Sequence, residues 1–312
     1  MGGEHPSRPG RRRFLSSLAA LALAPSVAPR LAGAAPAGLL TRPVGGNGER
    51  LPVIGMGTWL TFDVGRNAGL LEERARVLQT FFDMGGAVVD SSPMYGSSEE
   101  VIGYCLSRMS REPALFSATK VWTWGQSRGV AQMEESRRLW GVQRFDLMQI
   151  HNLLGWEGHL QTLLADKTAG RIRYIGITTS HGRRHDDMAA VMAKQPIDFV
   201  QFTYNILDRR AEERLLPLAA DRGLAVIINR PFRGGALFDY FARQPLPAWA
   251  AEMDCGSWAQ FFLKFIVSHP NVTCVIPATS RVDHMRDNMG ALYGRLPDRK
   301  MRERMIRHVE SL

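Results

Sequence analysis

The sequence predicts an α/β protein built as a (β/α)8 TIM barrel, and three observations indicate it. Eight short apolar or β-branched runs alternate with longer segments of helical periodicity, an order that favours a parallel sheet flanked by helices. Eight such units occupy roughly 250 residues, the usual size of this barrel. The competing architecture is an open doubly wound sheet, but its usual glycine-rich turn is missing after the first run, which reads GMGTWL at 55–60.

The predicted strands follow one another at regular intervals along the chain. Their apolar runs lie at 51–59, 86–92, 115–122, 145–151, 174–180, 199–205, 225–232 and 273–279. Helical periodicity fills the segments between them, at 70–85, 129–141, 159–171, 212–223 and 258–270 among others. The first of these ends at Gly85-Gly86, and glycine is a frequent helix terminator.

Length allows one large domain or two ordinary ones, and the composition supports a substantial folded core and argues against nucleic acid as a partner. The 312 residues are 45% hydrophobic and 22% charged, with a net charge of +9. This apolar content argues against global disorder. Five arginines and one glutamate place +4 of that charge in residues 1–34. The remaining basic residues are scattered among acidic ones without aromatic platforms, a pattern typical of a solvated surface.

Three cysteines argue against a disulfide framework or a metal site. Cys105, Cys255 and Cys274 form no CxxC pair, and no histidine lies at metal-ligand spacing from them. An odd count of separated cysteines does not suit a disulfide scaffold. Cys274 lies in the apolar run VTCVIPA and is expected to be a small buried side chain.

Residues 1–34 have the three-part layout of an export signal. A basic cluster at Arg11–Arg13 precedes an apolar run at 14–28 and then small residues, with cleavage expected after Ala34 or Ala37. The apolar run is too short to favour a stable membrane span. The segment resembles a twin-arginine (Tat) signal, which implies the Tat export machinery as a partner and a periplasmic or otherwise exported location. A disordered basic tail with a chance apolar helix is the alternative.

Domain organisation follows from these segments. Residues 1–34 are the expected signal peptide, residues 35–50 are rich in small residues, proline and glycine and are expected to form a linker or short hairpin, and residues 51–312 are the expected barrel.

Polar side chains end three successive strands of the predicted barrel. Asp90, Lys120 and His151 end the second, third and fourth runs, and Tyr95 follows in the loop after the second. The carboxyl ends of barrel strands converge on one face, which is where such barrels carry their active sites. We therefore expect these four side chains to lie close together.

These four residue types suit carbonyl reduction. Tyrosine has a reference pKa near 10, and a buried ammonium beside it is expected to lower that value. Asp90 would balance the charge of Lys120, and His151 would donate a hydrogen bond to a carbonyl oxygen. Tyr95 would then be the proton donor. The hydride cannot come from a side chain, so a nicotinamide cofactor is required.

The chain from about 50 to 292 closely resembles the aldo-keto reductases. The matching segments are GMGTW at 55–59, VVDSSPMYGSSEEVIG at 88–103, ATK at 118–120, LMQIHN at 147–152, YIGI at 174–177, FVQFTYN at 199–205 and IPATSRVDHMRDN at 276–288. The resemblance implies NAD(P)H-dependent reduction of an aldehyde, ketone or sugar carbonyl on a small molecule. It places the catalytic tetrad on Asp90, Tyr95, Lys120 and His151.

The resemblance also implies the nicotinamide site. Thr178 and Thr179 stand where the family usually has Ser-Asn, and Gln201 occupies the family's glutamine position; all three are expected to contact the carboxamide. Asn229 replaces a tyrosine whose ring stacks on nicotinamide in many members. Arg230 is expected either to bind pyrophosphate or to be a surface charge.

The adenosine end is expected near the last strand. Thr279, Ser280 and Arg281 are placed to meet a 2′-phosphate, and Asn288 is placed to meet adenine. A guanidinium suits a phosphate through bidentate geometry, so NADP(H) is favoured. Because Ala278 and His284 stand at the family's lysine and arginine positions, NAD(H) remains the alternative.

Four tryptophans lie in the loops at the expected barrel mouth. Trp59, Trp122, Trp124 and Trp156 predict an apolar or ring-binding substrate pocket, with loop packing as the alternative for one or two of them. A second functional hypothesis is a non-catalytic binding or accessory protein of the periplasm that keeps the barrel fold. The departures at Thr179 and Asn229 motivate that hypothesis, and the complete tetrad counts against it.

Overall fold

Ten strands are assigned in the computed structural model, which describes residues 38–45, 48–109 and 113–312. They are β1 (Thr41–Pro43), β2 (Arg50–Pro52), β3 (Met56–Gly57), β4 (Val88–Asp90), β5 (Phe116–Val121), β6 (Phe145–Ile150), β7 (Ile172–Thr178), β8 (Phe199–Thr203), β9 (Ala225–Asn229) and β10 (Cys274–Val275). The expected signal at 1–34 lies outside the described residues, as do residues 35–37, 46–47 and 110–112.

The described α-helices alternate with the strands from β3 onward. They are α1 (Ala68–Asp83), α2 (Ser98–Ser107), α3 (Gln126–Trp140), α4 (Trp156–Thr168), α5 (His185–Lys194), α6 (Leu215–Asp221), α7 (Ala236–Phe241), α8 (Trp258–Val267), α9 (Val282–Gly290) and α10 (Arg299–Glu310). Helix α7 is an addition within the connection from β9 to α8, and α10 follows the last βα unit.

Strands β3 to β10 form one parallel sheet that closes into a barrel. Each strand pairs with its neighbour in the chain. The first and last members meet through backbone bonds from Gly55 N to Val275 O (2.8 Å) and from Gly57 N to Pro277 O (3.0 Å). An open sheet would leave these edges apart, so the predicted (β/α)8 barrel is confirmed.

The first and last barrel strands are shorter than the apolar runs that predict them. The run at 51–59 divides into β2 and the two-residue strand β3, and the run at 273–279 yields only β10. Pro52 and Pro277 lie within these runs, and a proline supplies no N–H for a ladder. The seam of the barrel, where β3 and the segment before it meet β10 and the segment after it, is therefore joined by few hydrogen bonds.

An antiparallel hairpin precedes the barrel. Strands β1 and β2 pair Thr41 with Pro52 and Pro43 with Arg50. Leu51 and the adjacent Val44 pack against the side chains that fill the barrel interior at the amino ends of the strands, among them Phe116 and Phe199. The hairpin therefore covers the end of the barrel opposite the one that carries the polar strand tips.

A second, larger core lies between the sheet and its helices. Helix α8 shows how the sequence builds it, because its apolar residues Phe261, Phe262, Phe265 and Ile266 are all buried. All three cysteines are buried thiols. Within the described residues, no helix is both long enough and apolar enough to cross a bilayer.

Close backbone packing at the seam predicts that residue 57 must be glycine. A Cβ added at Gly57 would lie 2.9 Å from the carbonyl oxygen of Ile276, a backbone atom that cannot move aside cheaply. We expect Gly57→Ala to lower the free energy of unfolding by about 1–3 kcal/mol, measured by urea denaturation. Gly69→Ala is the control, because its Cβ would meet nothing closer than 3.5 Å. Equal stability of the two variants would contradict this account of the seam.

Candidate active site

The three strand tips predicted from sequence are neighbours at the carboxyl end of the barrel. Asp90 ends β4 and pairs with Ala118 of β5, while Lys120 of β5 pairs with Gln149 of β6. His151 directly follows β6. Asp90, Lys120 and His151 are all buried, and Lys120 has no exposed surface.

Lys120 and Asp90 form a buried ion pair. The Lys120 ammonium donates to Asp90 Oδ2 at 2.6 Å and to the carbonyl oxygen of Ser91 at 2.7 Å. The same nitrogen lies 5.0 Å from the centroid of the Tyr95 ring. Two of the three ammonium protons therefore bond to oxygens of Asp90 and Ser91. The Tyr95 phenol is the neighbouring group on the remaining side of the ammonium.

Tyr95 and His151 complete the cluster. Tyr95 is half-buried in the turn between β4 and α2, where its N–H donates to Ser92 O and its carbonyl accepts from Ser98 N. Its ring centroid lies 5.8 Å from that of His151, with the two planes nearly perpendicular at 86°. The turn thus returns the phenol to the strand tips, and the four side chains lie together.

Burial dominates the protonation states of the cluster. Burial raises the pKa of the Tyr95 phenol above its ordinary value, and the Lys120 ammonium opposes that rise only in part. The expectation that Lys120 lowers the pKa of Tyr95 below its ordinary value is therefore wrong. Burial acts to lower the pKa of Lys120, but the charge of Asp90 and the hydrogen bonds to Asp90 and Tyr95 oppose it, and the net shift is upward. The tyrosine keeps its proton and the lysine keeps its charge.

His151 is a neutral imidazole. Burial lowers its pKa to about 3, and the positive charge of Lys120 contributes to the same shift. At neutral pH this side chain acts as a hydrogen-bond donor or acceptor, not as a cation.

An amide network, which the sequence analysis missed, holds the other oxygen of Asp90. Asp90 Oδ1 accepts from Gln149 Nε2 at 2.8 Å and from Gln201 Nε2 at 3.0 Å. Gln201 Nε2 also lies 3.1 Å from Gln149 Oε1. Strand alternation could have marked Gln149 of β6 and Gln201 of β8 as candidates for one face of the sheet, but it does not state which side chains meet.

The network continues into the predicted nicotinamide site. Asn229 Nδ2 donates to Gln201 Oε1 at 3.3 Å and to the carbonyl of Thr179 at 2.9 Å. The Thr178 hydroxyl accepts from Asn152 N at 3.1 Å, and the Thr179 hydroxyl donates to the sulfur of Met188. The predicted carboxamide residues therefore lie together, and Gln201 joins them to Asp90.

Arg230 lies beside the mouth in a constrained loop. Its φ of 53° is in the left-handed region, and its carbonyl accepts from Asn205 Nδ2 and from Arg233 N. The guanidinium lies 6.0 Å from the Trp59 ring centroid. Burial lowers the pKa of Arg230, and the charge of Arg233 contributes. No carboxylate in the described part of the chain pairs with it, so its charge is available to an anion.

The predicted adenosine residues lie before and along α9, with Thr279, Ser280 and Arg281 preceding the helix and Asn288 in its last turn. Thr279 and Asn288 are buried, and the carbonyl oxygen of Ser280 accepts from Arg74 Nη1 at 3.2 Å. Arg281 is exposed and forms an ion pair with Asp283. Among the described residues, the Asn288 side chain has no hydrogen-bond partner. An amide on α9, with hydroxyls and a guanidinium just before that helix, offers hydrogen-bonding groups that suit the polar atoms of a dinucleotide.

The four tryptophans separate into two groups. Trp59 and Trp122 are each 40% exposed, and the Trp122 ring centroid lies 6.4 Å from that of His151. The Trp122 backbone is held at both its N–H and its carbonyl by the Gln132 amide. Trp124 is more exposed, while Trp156 packs against the helix-side core. Trp122 is therefore placed beside the cluster, and Trp59 beside Arg230.

The lowered pKa of His151 predicts acid sensitivity. A folded-state pKa of about 3 against 6.5 for the free group contributes stability that is present above pH 6.5 and lost as the pH falls toward 3. We expect the free energy of unfolding to fall more steeply across this window in the native chain than in His151→Gln, measured by urea denaturation at each pH. The exposed His284 supplies a control, His284→Gln, which should keep the native slope. Parallel slopes for the native chain and His151→Gln would contradict the assignment.

Comparison with known proteins places this geometry in a family. One curated relative is the aldo-keto reductase YhdN of Bacillus subtilis, 28% identical over 192 residues, which are 56% of this chain and 56% of the relative. Another is the NADH-specific methylglyoxal reductase of Escherichia coli, 24% identical over 67% of this chain and 72% of the relative. The chain spans about half the length of the first of these.

Solved structures and a family model agree with these relatives. The aldo-keto reductase AKR11C1 of Bacillus halodurans, in its holo form, has a TM-score of 0.71 at 21% identity, covering 87% of this chain and 96% of that one. An aldo-keto reductase of Klebsiella pneumoniae in complex with NADPH has a TM-score of 0.72 at 23% identity, covering 86% and 95%. At such identities the likeness concerns the fold. The model of the aldo/keto reductase family matches residues 53–304, and the chain therefore belongs to the aldo/keto reductase family.

Proposed function

We propose that the protein is an NAD(P)H-dependent oxidoreductase that reduces an aldehyde, ketone or sugar carbonyl on a small molecule to the alcohol. The observation that carries this proposal is the buried Lys120–Asp90 ion pair beside the Tyr95 ring. A buried pair of charges is a weak source of stability, because desolvation offsets most of the attraction. Its position beside a half-buried phenol and a neutral imidazole instead suits proton transfer to an oxygen.

Each side chain has a defined part in the reduction. A reduced nicotinamide supplies the hydride to the carbonyl carbon. Tyr95 transfers its phenolic proton to the carbonyl oxygen, and the Lys120 ammonium stabilises the phenolate that this transfer leaves. Asp90 keeps Lys120 charged, and His151 donates a hydrogen bond to the carbonyl oxygen. A proton from water then restores the phenol.

The raised pKa of Tyr95 fits this direction of proton flow. A phenol whose pKa is raised by burial keeps its proton at neutral pH until a carbonyl oxygen gains negative charge. Lys120 favours the phenolate in the transition state more than the neutral phenol in the ground state, and such a differential interaction is what lowers a barrier.

The cofactor residues are proposed from their placement. Gln201, Asn229, Thr178 and Thr179 would hold the carboxamide, and Arg230 the pyrophosphate. At the adenosine end, Thr279, Ser280, Arg281 and Asn288 would bind the 2′-phosphate and adenine. NADP(H) is favoured because Arg281 offers a guanidinium. The Klebsiella protein was solved with NADPH, while the Escherichia coli relative is NADH-specific by name, so NAD(H) is kept as the alternative.

A non-catalytic binding protein finds no support in the site. The two departures that motivate it, Thr179 and Asn229, are both members of the hydrogen-bonded network that reaches Asp90. Binding alone would not require a lysine and an aspartate to be buried beside Tyr95.

The place of action is proposed from the amino-terminal sequence. Arg11 and Arg12, the apolar run that follows them and the small residues near Ala34 support export of the folded enzyme by the twin-arginine route. Export after folding would let the protein carry its nucleotide into the periplasm.

Tyr95→Phe tests the reaction. Removal of the phenolic proton is expected to lower kcat for aldehyde reduction by about 10²- to 10⁴-fold, measured as NADPH oxidation. Nucleotide affinity, measured by quenching of tryptophan fluorescence, should be nearly unchanged. The half-buried Tyr104, whose hydroxyl bonds to Glu72 and Arg108, provides the control, since Tyr104→Phe should retain full activity. Undiminished turnover in Tyr95→Phe would refute the proposed reaction.

Asp283→Asn tests the 2′-phosphate site. Asp283 pairs with Arg281 and would compete with a phosphate for the guanidinium. Its neutralisation is expected to lower the Kd for NADPH by about two- to fivefold and to leave the Kd for NADH unchanged, measured by fluorescence titration. Arg281→Ala should have the opposite effect on NADPH. Equal changes for both nucleotides would exclude Arg281 from 2′-phosphate binding.

Replacement of both Arg11 and Arg12 by lysine tests export. We expect the double variant to accumulate as uncleaved precursor inside a bacterial host that has the twin-arginine machinery, whereas the native chain is recovered from the periplasm; fractionation and immunoblotting give the readout. Arg30→Lys, beyond the apolar run, should export normally. Normal export of the double variant would exclude this route.

A further inference from the structure

A buried serine contacts the histidine of the active site through one of its two ring nitrogens. Ser92 Oγ lies 2.9 Å from His151 Nδ1, and both side chains are buried. Ser92 follows Asp90 by two residues, within the turn that carries Tyr95. The neutral state of His151 makes this contact informative, because a neutral imidazole has one N–H and one acceptor nitrogen.

The hydrogens around Ser92 Oγ allow one arrangement in which every donor has an acceptor. The N–H of Met94 donates to Ser92 Oγ at 3.2 Å. The hydroxyl has a single proton, and within the described residues His151 Nδ1 is its only acceptor at hydrogen-bond distance. If Nδ1 carried the imidazole proton, the buried serine proton would have no acceptor, and buried unpaired donors are strongly disfavoured.

The other ring nitrogen is then the donor. With Nδ1 accepting from Ser92, the imidazole proton lies on Nε2, and no other described residue forms a hydrogen bond with Nε2. The remaining neighbours of the ring do not compete for it: Tyr95 meets it in a perpendicular ring contact, and the Trp122 ring centroid is 6.4 Å away. Nε2–H is therefore available to a ligand.

We propose that Ser92 is a positioning residue that fixes His151 as the Nε2–H tautomer. This inference rests on the proposed carbonyl reduction, in which the tautomer decides the outcome. An Nε2–H group donates to a carbonyl oxygen as that oxygen gains negative charge, whereas an unprotonated Nε2 would turn a lone pair toward it and oppose the reaction. Ser92 reaches the substrate only through His151.

The test reads the tautomer directly. The full chain, with its histidines labelled with ¹⁵N, is examined by long-range ¹H–¹⁵N correlation spectra at neutral pH without added nucleotide. The His151 signals are assigned by their loss in His151→Gln. We expect the native chain to show Nε2–H alone and Ser92→Ala to show a mixture with the Nδ1–H form. A native Nδ1–H form, or an unchanged tautomer in Ser92→Ala, would overturn the inference.

Ser91→Ala is the matched control. Ser91 is equally buried, but its hydroxyl bonds to Thr58 Oγ1 at 2.9 Å and not to the histidine. It is expected to keep the native tautomer of His151. A mixture in Ser91→Ala as well would show that any lost hydroxyl in this turn disturbs the ring, which also overturns a specific role for Ser92.

Kinetics separates this inference from the proposed function. In Ser92→Ala, kcat for aldehyde reduction should fall about three- to tenfold, the effect of one hydrogen bond, while the Kd for NADPH stays unchanged. A changed tautomer with unchanged kcat would overturn the positioning role. Failure of the native chain to reduce any carbonyl would instead overturn the proposed function, and the spectra would still report the tautomer.

Discussion

The buried ion pair between Lys120 and Asp90 is the constraint on which the rest of the site depends. Each charge loses several kcal/mol of hydration when it leaves water, and their attraction compensates only when the remaining donors and acceptors are also satisfied. Both oxygens of Asp90 are accordingly occupied, Oδ2 by Lys120 and Oδ1 by the two glutamines. The ammonium finds its second acceptor in the backbone of Ser91.

The barrel supplies what this pair requires. Parallel register places Asp90, Lys120 and Gln149 on three neighbouring strands, and Gln201 reaches Asp90 from β8 across the interior. Space for Gln149 comes from β7, because a Cβ at Gly176 would lie 2.9 Å from Gln149 Cγ. The amide network therefore depends on Gly176, because any larger side chain there would collide with Gln149. Since Gln201 also contacts Asn229, the charge pair and the proposed nicotinamide site are parts of one hydrogen-bonded unit.

Sequence reasoning found the barrel and the four converging side chains because both depend on patterns local in the chain. Strand tips are visible where an apolar run ends in Asp90, Lys120 or His151. The amide network was missed because its members meet across the barrel, and no local pattern states which inward side chains touch. The predicted direction of the Tyr95 pKa shift was wrong for a related reason. Burial decides that direction, and burial depends on contacts between segments that are distant in the sequence. The strands at the seam are short because of Pro52 and Pro277. Both prolines are visible in the sequence, but the long apolar runs around them predicted longer strands.

The central claim is that Lys120 and Asp90 act as one unit on Tyr95. A double-mutant cycle on kcat/KM for aldehyde reduction, with Asp90→Asn, Lys120→Met and the combined variant, tests it most directly, because residues that act as a unit are strongly non-additive. We expect each single variant to lose nearly as much activity as the double variant. Losses that multiply, so that the double variant equals the product of the two single effects, would contradict the account.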